Sequence, residues 1–211
     1  YDIPDEVLLS DEYEKSPLNF GYTDGIIIII DPLSVASVRN ECVRQGEIRA
    51  TSGFSTDNCE AIIVDFINKF SEIAGRSARK MSDIPVAVLI AKSDVKCIES
   101  SIGMPRIKAQ YKKSPENYNN DLSIARDEIC RAFLNDNGLA NVVNNLESVF
   151  SEVRYFPMSA VGHSPEAGVA FEPFGVIEPV AWIAKKRQSA VYPTLKYVQE
   201  KINRCDSAEQ G

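Results

Sequence analysis

A chain of 211 residues, 44% hydrophobic and 25% charged, is long enough to bury one sizeable core and has ordinary globular composition, which excludes disorder over most of its length. Its net charge of −7 repels phosphate backbones and anionic headgroups at long range, so neither nucleic acid nor a membrane surface is an expected partner. No apolar span of about 18 residues and no signal-peptide pattern occurs. The five cysteines (Cys42, Cys59, Cys97, Cys130 and Cys205) lack metal-ligand spacing and read as buried thiols of a reducing compartment, so a cytoplasmic location is expected.

The amino-terminal run Tyr1-Asp2-Ile3-Pro4-Asp5-Glu6 leads through a loop to Thr23-Asp24-Gly25. An aspartate such as Asp2 at a strand end can hold Mg²⁺ through water beside substrate phosphates. Ile26 to Ile30 is short, continuous and β-branched, the pattern of a fully buried parallel strand. Asp31-Pro32-Leu33-Ser34 is a turn with a capping aspartate, after which Val35, Val38 and Cys42 recur at helical spacing. Gly46 to Gly53 reads as a loop. Asp57 with Glu60 has the form of a capping box for a helix whose apolar face is Ile62, Ile63, Phe66, Ile67, Phe70 and Ile73, with Gly75 as its stop.

Val86 to Ile90 is the second buried strand, so Ile26 to Ile90 has the length of a right-handed strand-helix-strand crossover. Lys96 to Asn120 is polar, carries Pro105 and Pro115, and reads as a mobile insertion bearing the basic-aromatic stretch Lys108 to Lys113. Asp121 to Phe133 is a helix, broken at Asn135-Asp136-Asn137-Gly138. A second helix carries Leu139, Val142, Val143, Leu146, Val149 and Phe150. A third, weaker strand lies around Val153 to Phe156, Gly162 to Gly175 is a loop, and a final helical region opens at Val180 to Lys186. Lys185, Lys186 and Arg187 read as a solvated helix end. The class is α/β: a doubly wound, mostly parallel sheet with flanking helices. The domain runs over 1–187, and 188–211 form a carboxyl-terminal helix and tail.

Two strand ends carry chemistry, and the carboxyl ends of parallel strands are where ligands bind in open α/β sheets. The second strand ends in Ala91-Lys92-Ser93-Asp94. The Asp94 carboxylate can accept the two adjacent donors of a guanine edge, the ring N1–H and the exocyclic amine, while the Lys92 stem covers the base face and its ammonium stays solvated. The third strand ends in Pro157-Met158-Ser159-Ala160, where small residues let a backbone N–H approach a carbonyl such as guanine O6. His163 is the only histidine and reads as a structural loop group. No nucleophile elbow of G-x-S-x-G type is present.

In this order the three pieces resemble the distal half of a translation-factor-like P-loop GTPase. Asp2-Ile3-Pro4-Asp5 stands where that family has Asp-x-x-Gly, Ala91-Lys92-Ser93-Asp94 where it has Asn/Thr-Lys-x-Asp, and Ser159-Ala160 where it has Ser-Ala. The details are similar to bacterial double-GTPase proteins, with Asp24-Gly25, Asp31-Pro32, Val161-Gly162-His163 and Glu178-Pro179-Val180-Ala181-Trp182 in the matching places. The resemblance implies a P-loop NTPase-like fold and a GTP- or GDP-binding molecular switch or hydrolase using Mg²⁺. In it Asp94 binds the guanine edge, Lys92 covers base and ribose, Ser159 and Ala160 form the loop whose Ala160 N–H meets guanine O6, and Asp2 is linked to the magnesium through water.

Three departures stand against it. Ala91 replaces the Asn or Thr that ties the base loop to the phosphate loop. Asp5 replaces the glycine whose N–H senses the γ-phosphate. No G-x-x-x-x-G-K-S/T occurs, so the donors that cradle phosphates are absent and these residues alone are not expected to hydrolyse GTP. The isoleucine strand, central in such folds, would also be left as a bare apolar edge. The expectation is that a preceding portion of the protein or another chain covers it. The alternative function is a degenerate GTPase fold serving as a scaffold for a protein partner.

Overall fold

The computed structural model describes residues 23–49, 59–74, 81–163, 170–188 and 193–200. Three strands, β1 (Ile26–Ile30), β2 (Val86–Ile90) and β3 (Val153–Pro157), form one sheet in the order β1-β2-β3, with both pairs parallel. Between β1 and β2 lie α1 (Ala36–Arg44) and α2 (Cys59–Ala74). Between β2 and β3 lie α3 (Lys96–Ile102), α4 (Met104–Lys113), α5 (Leu122–Leu134) and α6 (Ala140–Val149). Helix α7 (Ile177–Lys186) follows β3. The class is therefore α/β with a parallel sheet and flanking helices. Strand β2 is buried along its whole length, as its uninterrupted apolar run requires, whereas β1, expected to be fully buried, alternates half-buried and exposed residues up to Ile30 because it is the edge strand.

The side-chain period of two divides the sheet cleanly. On one face Ile30, Val86, Val88, Ile90 and Tyr155 join the main core with Val38, Ile63, Ile67, Phe70, Ile98, Ile102 and Val142. On the other face Ala87, Leu89 and Phe156 meet Met158, Trp182 and Ile183. There α7 is the cover: Trp182 lies 6.1 Å from the Phe156 ring, and the Arg126 guanidinium stacks over that ring at 4.5 Å. Gly25 lets Ile183 approach closely at the start of β1, where a Cβ would collide with it.

The two edges of the sheet differ. At the β3 edge, the Tyr155 N–H donates to Asp127 Oδ1 of α5 at 2.8 Å, so the outward amide is satisfied. At the β1 edge, Ile26 donates to the Pro85 carbonyl and Ile30 accepts from Ala91, both at 2.9 Å. By the alternation of a parallel ladder, the N–H and C=O groups of Ile27 and Ile29 point outward. The same two side chains lie on the α7 face beyond the reach of that helix, 43% and 63% exposed. Among the described residues no strand pairs with this edge of β1.

Two further expectations fail. Lys96 to Asn120 is not an irregular insertion: α3 and α4 run through it, followed by a 3₁₀ turn at Pro115–Tyr118. Its apolar residues are sparse but well placed, with Ile98, Ile102 and Ile107 fully buried. Pro105 stands in the first turn of α4, where a missing N–H costs nothing. The cysteines are also not all free thiols. Cys42 of α1 and Cys97 of α3 form a disulfide with Cα atoms 5.4 Å apart, while Cys59 and Cys130 are free. Burial pushes the Cys130 thiol far above the usual thiol range and leaves it unreactive.

The break at Asn135 to Gly138 is a wide turn rather than a gap: Asn135–Leu139 carries the chain from α5 into α6 with Gly138 at φ 92°. Asp57 of the capping box, Gly75 and Cys205 lie outside the described residues. Among the described residues, no helix is long and apolar enough to cross a membrane.

Candidate functional site

All three parallel strands end on the same side of the sheet, so the segments after β1, β2 and β3 converge. After β2 the chain turns sharply. Lys92 takes a left-handed backbone (φ 54°), uncommon for a residue with a side chain and costing on the order of 1 kcal/mol. The turn sends Ser93 inward and leaves Lys92 exposed and Asp94 half-buried at the rim. Among the described residues the Asp94 carboxylate forms no hydrogen bond or ion pair, which leaves its oxygens available to a ligand.

Ser93 is completely buried and joins two strand ends. Its hydroxyl donates to the Ile90 carbonyl at 2.7 Å and accepts from the Met158 N–H at 3.2 Å, while its own N–H donates to the Met158 carbonyl at 3.1 Å. Met158 immediately precedes Ser159-Ala160. The residue between lysine and aspartate thus clamps the loop after β2 to the loop after β3. It is the unspecified member of Lys-x-Asp. The Met158 N–H is shared, since it also donates to the Ile90 carbonyl at 2.9 Å.

The loop after β3 is built by Ser159, itself buried. Its N–H donates to the Phe174 carbonyl and its carbonyl accepts the Phe174 N–H, both at 3.0 Å, an isolated antiparallel bridge. Its hydroxyl accepts from the N–H groups of Val161 (3.2 Å) and Gly162 (2.7 Å). Gly162 at φ 86° could not carry a Cβ, which would run into the Glu172 carbonyl. Within this nest the exposed Ala160 N–H takes no partner among the described residues. His163 contacts the Ala170 carbonyl at 2.9 Å, a structural loop contact as expected.

After β1, Asp31 enters from the side. Its Oδ1 accepts the Leu33 N–H at 3.0 Å, the cap expected of Asp31-Pro32, and its Oδ2 lies 2.6 Å from Lys92 Nζ. The ammonium expected to be solvated is thus in an ion pair at the rim.

The structure therefore brings Lys92, Asp94, Ser159 and Ala160 to one place, with Ser93 and Asp31 as members that the motif did not specify. It presents a carboxylate acceptor pair, a backbone N–H donor and an aliphatic lysine stem, a set suited to a flat heterocycle whose edge carries two adjacent N–H donors beside a carbonyl. Asp2 and Asp5 lie outside the described residues. Among the described residues, no cluster of His, Cys, Asp and Glu is placed to hold a metal ion. Compared with known proteins, the chain matches no family model, no curated protein and no solved structure.

Proposed function

We propose that this chain carries the base-binding half of a GTPase-like nucleotide site. The observation that carries the reading is the Ser93 clamp, which sets Lys92 and Asp94 at the end of β2 against Ser159 and Ala160 at the end of β3. Asp94 would accept from guanine N1–H and the exocyclic amine, Ala160 would donate to O6, and the Lys92 stem would cover the base. Phosphate binding and GTP hydrolysis would need a glycine-rich loop that these 211 residues do not contain. Mg²⁺, if bound through water at Asp2, would neutralise phosphate charge there.

Calorimetric titration of the full-length protein with GDP, GTP and ATP at millimolar Mg²⁺ tests the reading. Binding of both guanine nucleotides and not of ATP supports it. No guanine nucleotide binding leaves the second reading, a degenerate fold acting as a protein scaffold. Ala91 in the tethering position and the β1 edge, unpaired among the described residues and able to accept a partner's strand, favour that second reading.

A further inference from the structure

The turn after β1 holds a carboxylate that the base-site reading does not use. Asp31 is fixed on every side. Pro32 restricts the chain behind it, Oδ1 caps the turn through Leu33, its carbonyl accepts the Ser34 hydroxyl at 2.7 Å, and Arg39 closes the turn on the Leu33 carbonyl at 2.8 Å and the Ser34 carbonyl at 3.1 Å. Oδ2 is left to meet Lys92 Nζ at 2.6 Å.

Lys92, in contrast, is an exposed residue on a loop. A free lysine stem samples many rotamers, and a ligand that needs it in one place must bear the ordering entropy. Asp31 removes that freedom beforehand, because the stem must span from the end of β2 to the end of β1 to reach it.

We infer that Asp31 is a positioning residue for the base site, anchoring the Lys92 ammonium so that the stem already lies across the strand ends when a guanine base arrives. The inference rests on the base-site reading. Its competitor is a purely structural ion pair that ties β1 to β2 and has no bearing on ligand.

Asp31→Asn separates the two. The Asn oxygen still accepts the Leu33 N–H and keeps the cap, while the charge that holds Lys92 is lost. GDP titration of the full-length wild type, Asp31→Asn, Lys92→Met and the double variant forms a thermodynamic cycle, with thermal melting of each alongside. Expected is an Asp31→Asn loss of about three- to fivefold in GDP affinity, the range of a partly exposed pair, with unchanged melting. In the Lys92→Met background, Asp31→Asn should then cause no further loss. Unchanged GDP affinity in Asp31→Asn, or the same loss with and without Lys92, overturns the positioning role while leaving the base site standing. No GDP binding by the wild type overturns the base site and this inference with it.

Discussion

Ser93 and Met158, 65 residues apart in sequence, exchange backbone and side-chain hydrogen bonds at 3.1 and 3.2 Å and so bind the carboxyl ends of β2 and β3 into one unit. Through them a motif on one strand and a small-residue pair on the next become one candidate site.

Ser93→Ala should therefore act on stability and ligand together. The buried hydroxyl makes two hydrogen bonds, but Met158 N–H retains the Ile90 carbonyl at 2.9 Å. The expected loss is about 1–2 kcal/mol in urea denaturation, with weaker GDP binding. An unchanged denaturation midpoint would show that the clamp contributes nothing.

Gly162→Ala should cost more than Gly46→Ala, although both glycines have a left-handed backbone, at φ 86° and 76°. At Gly46 nothing lies within 4 Å of an added Cβ, so only the backbone preference of about 1 kcal/mol is lost. At Gly162 the Glu172 carbonyl is in the way, and the Ser159 nest must open. Equal denaturation midpoints would contradict this account of the Gly162 turn.

Asp127 gives a pH dependence. Burial pushes its carboxyl above the ordinary aspartate value of 3.8, against the opposing pull of the Tyr155 N–H and of Arg154, Arg131 and Arg126. The folded state then holds its proton longer than the unfolded state, so stability from this group falls as pH rises from about 3.8 through the raised folded value. Asp127→Asn keeps an acceptor for Tyr155 and loses the ionisation. It should be at least as stable as wild type at pH 7, with the relative gain shrinking as pH falls into the ordinary carboxylate range. Denaturation across pH checks this, and a variant disadvantage that grows with pH would contradict it.

The β1 edge should self-associate when the 211-residue chain is concentrated. Ile29, 63% exposed beside outward backbone groups, is the point to interrupt it. Ile29→Lys should suppress association in sedimentation velocity while changing stability by less than about 0.5 kcal/mol. A wild-type chain that stays monomeric at every concentration would show that the edge needs no cover.

Strands β1 and β2 were legible because each is a short, continuous run of apolar residues bounded by turns, whereas β3, which carries Arg154, gave a weaker signal. The α3–α4 region was not. Ile98, Ile102 and Ile107 are too few among lysines and prolines to show a stripe, and only the core opposite them makes those three positions sufficient. Lys92, Asp94, Ser159 and Ala160 could be picked out from their place at strand ends. The roles of Ser93 and Asp31, and the Cys42–Cys97 disulfide across 55 residues, arise from contacts that topology creates and no local pattern carries.

The most direct test of the base site is the nucleotide preference of Asp94→Asn in the full-length protein. Guanine offers two donors to a carboxylate, whereas xanthine offers a donor and an acceptor, which an Asn amide matches. The variant is expected to lose GDP affinity and gain affinity for xanthosine diphosphate. A preference unchanged from wild type would contradict the assignment of Asp94 to the base.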